Sequence, residues 1–320
     1  MENLNISRTQ SFNTNTGLPS LESGSESNKK FIKRRPAALK LKSLSMPLAL
    51  NKNPVASTSP WTHMEKIGFG TYSEVKRAVN KLTQEEAAIK ICKGSTSLEL
   101  LKNEAEILKQ VNSDFIPKFY DLQLDTFSKR GYLIMEHIKG DSLDQYVQKN
   151  GTLREEDARS VMSKLISAVN ELHCKGIAHR DIKPQNIIIT EDKNVKLIDF
   201  NISKKTKNNK SKSQESQDKF KCTFYSQISS PAYAAPEVLS RECYSESVDI
   251  WGLGVALAEM LFKVSDMLKS RNSRNFSTII SQLKSSVNVS DQTLSQIKAM
   301  LSEKPDERPS ISELVEQFSQ

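Results

Sequence analysis

The order of local patterns along the chain predicts an α+β fold in which a small β-rich lobe precedes a larger helical one. Three observations carry this. Short strand-like runs crowd the stretch between Glu65 and His137. Helical periodicity dominates from Glu155 and returns from Val238 onward. Strands followed by helices, rather than strict alternation, is the pattern of segregated layers.

Residues 1 to about 58 are rich in Ser, Asn, Lys and Pro and show no steady apolar period. Such a segment cannot bury enough surface to offset chain ordering, so a disordered basic tail is expected. The texture changes at Trp61. Glu65 to Val79 predicts two strands around a glycine turn, and Glu86 to Cys92 a third. Leu98 to Val111 has helical spacing, and Gly131 to His137 predicts a strand. Glu155 to Lys175 predicts a long helix with Val161, Leu165, Val169 and Leu172 on one side. Short strands are expected near Ile187 to Ile189 and Val195 to Ile198.

With 320 residues the chain can build a sizeable core. A mean hydropathy of −0.51 and the lack of an apolar run of about 18 residues argue against a membrane span. The first residues lack a signal-peptide core, and Glu2 excludes the myristoylation pattern. The cysteines Cys92, Cys174, Cys222 and Cys243 are scattered, as expected of reduced thiols in a cytoplasmic or nuclear protein. Net charge is +8, concentrated in Lys29 to Arg35 and in Lys204 to Lys221, where seven lysines face only Glu215 and Asp218. Such runs are ordinarily solvated, and each holds a single phenylalanine, Phe31 or Phe220, rather than an interleaved aromatic series, so nucleic acid is not the expected partner.

Several motifs point to chemistry. Gly68-Phe-Gly70-Thr-Tyr-Ser73-Glu-Val75 is a glycine turn that lets backbone N–H groups approach phosphate, although an ordinary hairpin would look similar. Lys90 lies inside an apolar strand, where a charge needs a partner, and Glu104 on the next predicted helix could reach it. Then come His179-Arg180-Asp181-Ile-Lys183-Pro-Gln-Asn186, Asp199-Phe200-Asn201, Ala235-Pro236-Glu237, Asp249-Ile-Trp251-Gly-Leu-Gly254 and Pro305-Asp-Glu-Arg308.

In this order and spacing the motifs resemble the eukaryotic protein kinase family, serine/threonine type, over about four-fifths of the chain. The resemblance implies a bilobal protein-kinase fold over residues 59–320, with an N-lobe to about 136 and a C-lobe from about 137. It implies ATP and Mg2+ (or Mn2+) as cofactors and proteins as substrates. Asp181 would orient the substrate hydroxyl and accept its proton, and Lys183 would neutralise the transferring phosphoryl group. Lys90, paired with Glu104, would hold the α/β-phosphates, while Asn186 and Asp199 would bind metal. Gly68, Gly70 and Ser73 would cover the phosphates, with Ser73 standing where the family has a third glycine. Val75, Ala88 and a gatekeeper Met135 would enclose adenine, with its backbone partners between Glu136 and Ile138; without the family frame these are plain core positions. Asp249 would anchor the catalytic loop, and Arg308 would pair with Glu237.

Lys183 two residues after Asp181 resembles the serine/threonine-specific pattern, and the loop leans toward the calcium/calmodulin-dependent group. Ser230 falls where such kinases carry a hydroxyl against the catalytic aspartate. Arg180 implies a phosphate on the activation loop, at Ser226 or else Thr223, added by an upstream kinase or by the chain itself. The basic insertion there could attract acidic partners, or be merely solvated. In the tail, Arg34-Arg35-Pro36-Ala37-Ala38 has the form of a pseudosubstrate, although Gln185 replaces an acid used to bind arginine. Lys42 to Pro47 resembles a phosphoserine motif read by 14-3-3 proteins through Ser45. The departures are Asn201 for the family's glycine, Ser73, and the stretch after Met260. They leave open a second function, a nucleotide-binding pseudokinase scaffold.

Overall fold

A computed structural model of the chain describes residues 60–70, 73–125, 127–205, 233–242, 244–264 and 289–319. The strands β1 (Trp61–Phe69), β2 (Ser73–Asn80), β3 (Glu86–Lys93), β4 (Phe119–Asp125) and β5 (Arg130–Glu136) form an antiparallel sheet in the order β1-β2-β3-β5-β4. Register decides what each face carries, because alternate residues point to opposite sides. Val75 pairs with Lys90, Lys90 with Leu133, and Ala88 with Met135, so these five share one face. Ala78, Ala87, Ile89 and Ile134 occupy the other, as a small core that Trp61, Ile91 and Tyr132 border.

Helix α1 (Ser95–Leu108) crosses this sheet and contacts β3, β4 and β5. Its buried positions Ser97, Leu101, Glu104, Ala105 and Leu108 follow helical spacing along one stripe. Glu104 therefore falls on the buried face with the apolar residues. After β5 the chain passes through β6 (Asp141–Ser142) and α2 (Leu143–Asn150) into the long helix α3 (Glu155–Cys174). Then follow β7 (Ile177–Ala178), β8 (Ile187–Ile189), β9 (Val195–Leu197) and β10 (Lys204–Lys205). The strand β7 pairs with β10, while β6, β8 and β9 form a small three-stranded sheet.

The helical part is completed by α4 (Pro236–Leu239), α5 (Ser247–Phe262), α6 (Asp291–Met300) and α7 (Ile311–Phe318). Every residue of α5 is buried, as expected for a helix that is apolar nearly all round and sits in the middle of its lobe. It packs against α2, α3 and α6. At Gly252 it approaches the loop after β7 so closely that an added Cβ would lie 2.6 Å from both the Cβ and the carbonyl oxygen of Ile182.

The expected long helix and the strands β3, β5, β8 and β9 lie close to where the sequence puts them. Helix α1 begins and ends about one turn earlier than expected, and β1 and β2 are longer. The strand β4, the short pieces β6, β7 and β10, and helix α2 had no counterpart in the sequence reading. Among the described residues, no helix is long and apolar enough to cross a membrane.

Candidate active site

Strand β3 delivers Lys90 to the face it shares with Val75, Ala88 and Met135. Its Nζ donates to Glu104 Oε2 at 2.6 Å and to Asp199 Oδ1 at 2.6 Å. Burial alone would push the Lys90 ammonium down. The charges of Glu104 and Asp199 outweigh it and hold the group well above its ordinary value. Burial likewise works against the Asp199 carboxylate, but Lys90 keeps it below the usual range. Glu104, 1% exposed, is pushed up by burial against the pull of Lys90. One ammonium shared by two carboxylates cannot fully satisfy both, and the more buried carboxylate is the one left raised.

The loop after β7 is held from beneath by Asp249, in the first turn of α5. Its Oδ2 accepts the His179 N–H at 2.8 Å and its Oδ1 the Arg180 N–H at 2.7 Å. His173 Nε2 lies 2.9 Å from Oδ2. Burial would raise the Asp249 carboxyl, yet the hydrogen bond and charge of His173 and the other groups around it bring it below the ordinary value. This anchoring lets Arg180 keep a left-handed backbone, φ +71°, and Asp199 likewise stands at φ +68°. Two such non-glycine residues in one site persist only where their surroundings over-determine them.

Within the loop, Asp181 Oδ2 accepts from Lys183 Nζ at 2.6 Å and from Asn186 Nδ2 at 3.0 Å. Asn186 Nδ2 also donates to the Asp181 carbonyl at 2.8 Å. His179 is buried, which pushes its imidazole down and keeps it neutral. Its Nδ1 faces the Asp181 N–H at 3.3 Å and its Nε2 the Ile198 carbonyl at 3.1 Å, so the proton resides on Nε2. The ring meets Phe200 edge-on at 4.8 Å between centroids. Arg180 donates to the Tyr244 hydroxyl through Nε at 3.2 Å and Nη2 at 2.6 Å.

At the glycine turn, the Gly70 N–H donates to the Ser73 carbonyl at 2.8 Å. Among the described residues a Cβ on Gly68 would meet Val75 at 3.5 Å, and one on Gly70 would meet Ser73 at 3.7 Å, which are ordinary contacts. Neither residue is among those with positive φ. Neither packing nor conformation of the chain therefore demands glycine here, and the bare backbone leaves room for a ligand. At the end of β5, the Glu136 N–H bonds to the Lys118 carbonyl, and its carboxylate holds Lys196 Nζ at 2.7 Å. Ile138 is half-buried. A groove of about 1200 Å³ also touches Glu136 and Ile138, yet Lys90, Asp181, Asn186 and Asp199 do not line it.

For a metal ion the donor set is oxygen. Asp199 Oδ1 is taken by Lys90, which leaves Oδ2, and Asn186 Nδ2 is turned to Asp181, which leaves Oδ1. Among the described residues no group of three His, Cys, Asp or Glu side chains could hold an ion unaided. Two hard oxygen ligands with the remainder supplied by phosphates and water fit Mg2+.

Farther out, Arg308 and Glu237 form a two-pronged pair, Nη1 to Oε1 at 2.6 Å and Nη2 to Oε2 at 2.8 Å. Thr223, Ser226 and Ser230, most of the basic insertion, Arg34 to Ala38 and Ser45 lie outside the described residues.

Residues 61–318 match the protein kinase domain. The chain belongs to that family. It is 30% identical over 264 residues to the human hormonally up-regulated neu tumor-associated kinase, covering 78% of this chain and 35% of that protein. To the maternal embryonic leucine zipper kinase of Danio rerio it is 36% identical over 216 residues, 65% of this chain and 30% of that one. To the CBL-interacting serine/threonine-protein kinase 12 of Arabidopsis thaliana it is 36% identical over 197 residues, 60% and 38%. The kinase domain thus spans about a third of the length of these relatives.

The sequence reading passed over Asn103, beside Glu104 on α1. Its Nδ2 lies 2.8 Å from the Ser203 carbonyl, 3.1 Å from that of Asn201 and 3.4 Å from that of Phe200. Partners that are backbone carbonyls leave no mark in a residue pattern. Lys196, buried against Glu136, was passed over too; a lysine between Val195 and Leu197 was its only signal.

Proposed function

We propose that this kinase domain transfers the γ-phosphoryl group of ATP to serine or threonine hydroxyls of proteins. The observation that carries the proposal is Lys90 bridging Glu104 and Asp199 at 2.6 Å each, beside the hydrogen-bonded set Asp181, Lys183 and Asn186. A protein serine/threonine kinase is also what the name of the Arabidopsis relative states, and Lys183 fits that class.

In this scheme Lys90 holds the α- and β-phosphates and Glu104 holds Lys90. The face made by Val75, Ala88 and Met135 takes adenine, with backbone partners between Glu136 and Ile138. Gly68, Gly70 and Ser73 lie over the phosphates. Asn186 Oδ1 and Asp199 Oδ2 would hold Mg2+ or Mn2+, which supplies charge neutralisation at the phosphates. With Oδ2 of Asp181 engaged by Lys183 and Asn186, Oδ1 takes the proton of the substrate hydroxyl. The hydroxyl oxygen bonds to the γ-phosphorus as the bond to the β,γ-bridging oxygen breaks, and ADP leaves. Lys183 offsets the charge of the group in transit. The chain's work is positioning and electrostatics.

Regulation by a phosphate at Ser226 or Thr223, received by Arg180, belongs to the same proposal, as does an upstream activating kinase. The domain would occupy 59–320 after a basic tail, with Ser230 at the substrate hydroxyl. The test is incorporation of labelled phosphate into a generic basic protein and into the chain, with Mg2+ present. Signal on serine or threonine that drops by on the order of 10² or more in Asp199→Asn and Lys90→Met is the expected result. Nucleotide binding without transfer, even after the loop is phosphorylated, would instead establish a scaffold and turn attention to Asn201.

A further inference from the structure

We propose that Asn103 is a positioning residue for the metal-holding segment. Its carboxamide ties the backbone that follows Asp199 to helix α1 and so fixes where the Asp199 carboxylate stands. This rests on the proposal that Asp199 and Asn186 hold the metal.

The segment after Asp199 is bound from three sides. Its Phe200 N–H donates to Glu104 Oε1 at 3.3 Å. Its Ser203 hydroxyl donates to the His179 carbonyl at 3.0 Å. Its carbonyls at 200, 201 and 203 converge on Asn103 Nδ2. Two consecutive residues of α1 thus hold opposite polarities of one short backbone: Glu104 accepts from it, and Asn103 donates to it. An amide NH2 has two protons, enough for the two shorter contacts, and a carboxylate or an alkyl group of the same size has none. The left-handed backbone of Asp199 is where such restraint matters, since a residue there relaxes unless its neighbours hold it.

Asn201 gives an independent reason. It stands where the family has glycine, yet it is not among the residues with positive φ, so this pose makes no use of a glycine's freedom. Its own Oδ1 is buried without a hydrogen-bond partner among the described residues. The side chain at 201 therefore does nothing visible to hold the segment, while the carbonyl of the same residue is held by Asn103. Asn103 acts through Asp199 and touches none of the residues assigned to ATP.

The test is the affinity for Mn2+ in the presence of ADP, read by electron paramagnetic resonance, beside steady-state kinetics and melting temperature. Asn103→Leu keeps the size and removes the donor. It is expected to weaken Mn2+ about tenfold and to lower kcat with the protein-substrate KM unchanged. Asn103→Asp, which sets a carboxylate against three carbonyls, is expected to weaken Mn2+ further. Asn103→Ser, a milder change at this half-buried site, should fall between wild type and Leu, and it secures the result if Leu does not fold. An Mn2+ affinity within twofold of wild type in folded variants would overturn the proposal and leave Asn103 a purely structural residue. If the wild type binds Mn2+ and ADP but transfers no phosphate, the kinase activity falls while the Mn2+ comparison still decides on Asn103. If the wild type binds neither, both fall.

Discussion

Two buried ion pairs in this domain are built differently. Arg308 and Glu237 meet through two parallel hydrogen bonds with almost no exposed surface. Arg308 also donates to the Ser302 and Ser247 carbonyls, and its guanidinium lies 5.1 Å from the centre of the Trp251 ring. Lys90, by contrast, is one ammonium between two carboxylates, and one of those, Asp199, keeps 30% of its side chain exposed. The first pair is closed: every contact is spent inside the fold. The second is open, with part of the Asp199 side chain exposed. A buried pair of the first kind holds architecture together, and one of the second kind is equipped to take a ligand.

The sharpest way to break that contrast is to remove one cation from each. Arg308→Leu strands the Glu237 carboxylate and is expected to cost about 3–5 kcal/mol, a fall in melting temperature on the order of 10 °C for a domain of this size. Calorimetry checks it. Lys90→Met leaves Glu104, whose carboxyl is already pushed up and can take a proton instead. Its melting temperature should move much less than that of Arg308→Leu while phosphoryl transfer disappears. A larger thermal loss at Lys90 than at Arg308 would mean that the open pair is the structural one.

A smaller effect is expected at His179. An unfolded histidine titrates near pH 6.5, and burial holds this one lower. Below pH 6.5 the unfolded chain takes up a proton that the folded chain refuses, so unfolding becomes more favourable as the pH falls. His179 therefore contributes stability above about pH 6.5 that is lost on acidification. Melting temperatures between pH 7.5 and 5.5 should fall less steeply in His179→Leu than in wild type. Equal slopes would mean that the folded ring takes up its proton over the same pH range as the unfolded one.

The smallest effect is expected at Asn201→Gly. It removes a buried acceptor that has no partner among the described residues, which stabilises, and it frees the unfolded backbone by roughly 0.5–1 kcal/mol, which opposes. The melting temperature should stay within a few degrees of wild type, and hydrogen exchange at 200–203 should report any loosening. A large stabilisation would show that Asn201 strains the open pair.

Asp249 was read only through the family resemblance, whereas Lys90 was legible because it is out of place locally: it interrupts an apolar strand, with Glu104 on the next predicted helix in reach. A charge in such a position needs a partner, and the spacing offered few. The loop around Asp181 has no periodicity of its own, and there the family resemblance did what local pattern could not. The missed elements have physical reasons. In β4 the register shifts between Phe119 and Asp121, so alternation is lost where it would have been read. Helix α2 buries only Leu143 and Val147, one repeat, too short to stand out. Asn103 was invisible because its partners are carbonyls that every residue possesses.

The approach of α5 at Gly252 sets a tolerance for the whole catalytic loop. Ile182 lies between Asp181 and Lys183, and its backbone touches the helix where a single methyl group would not fit. Whatever moves α5 by the width of one carbon moves Asp181 and Lys183 together, as one block. The helix is thus a gauge against which the loop is set, and any influence that shifts this gauge reaches Asp181 without passing through Lys90.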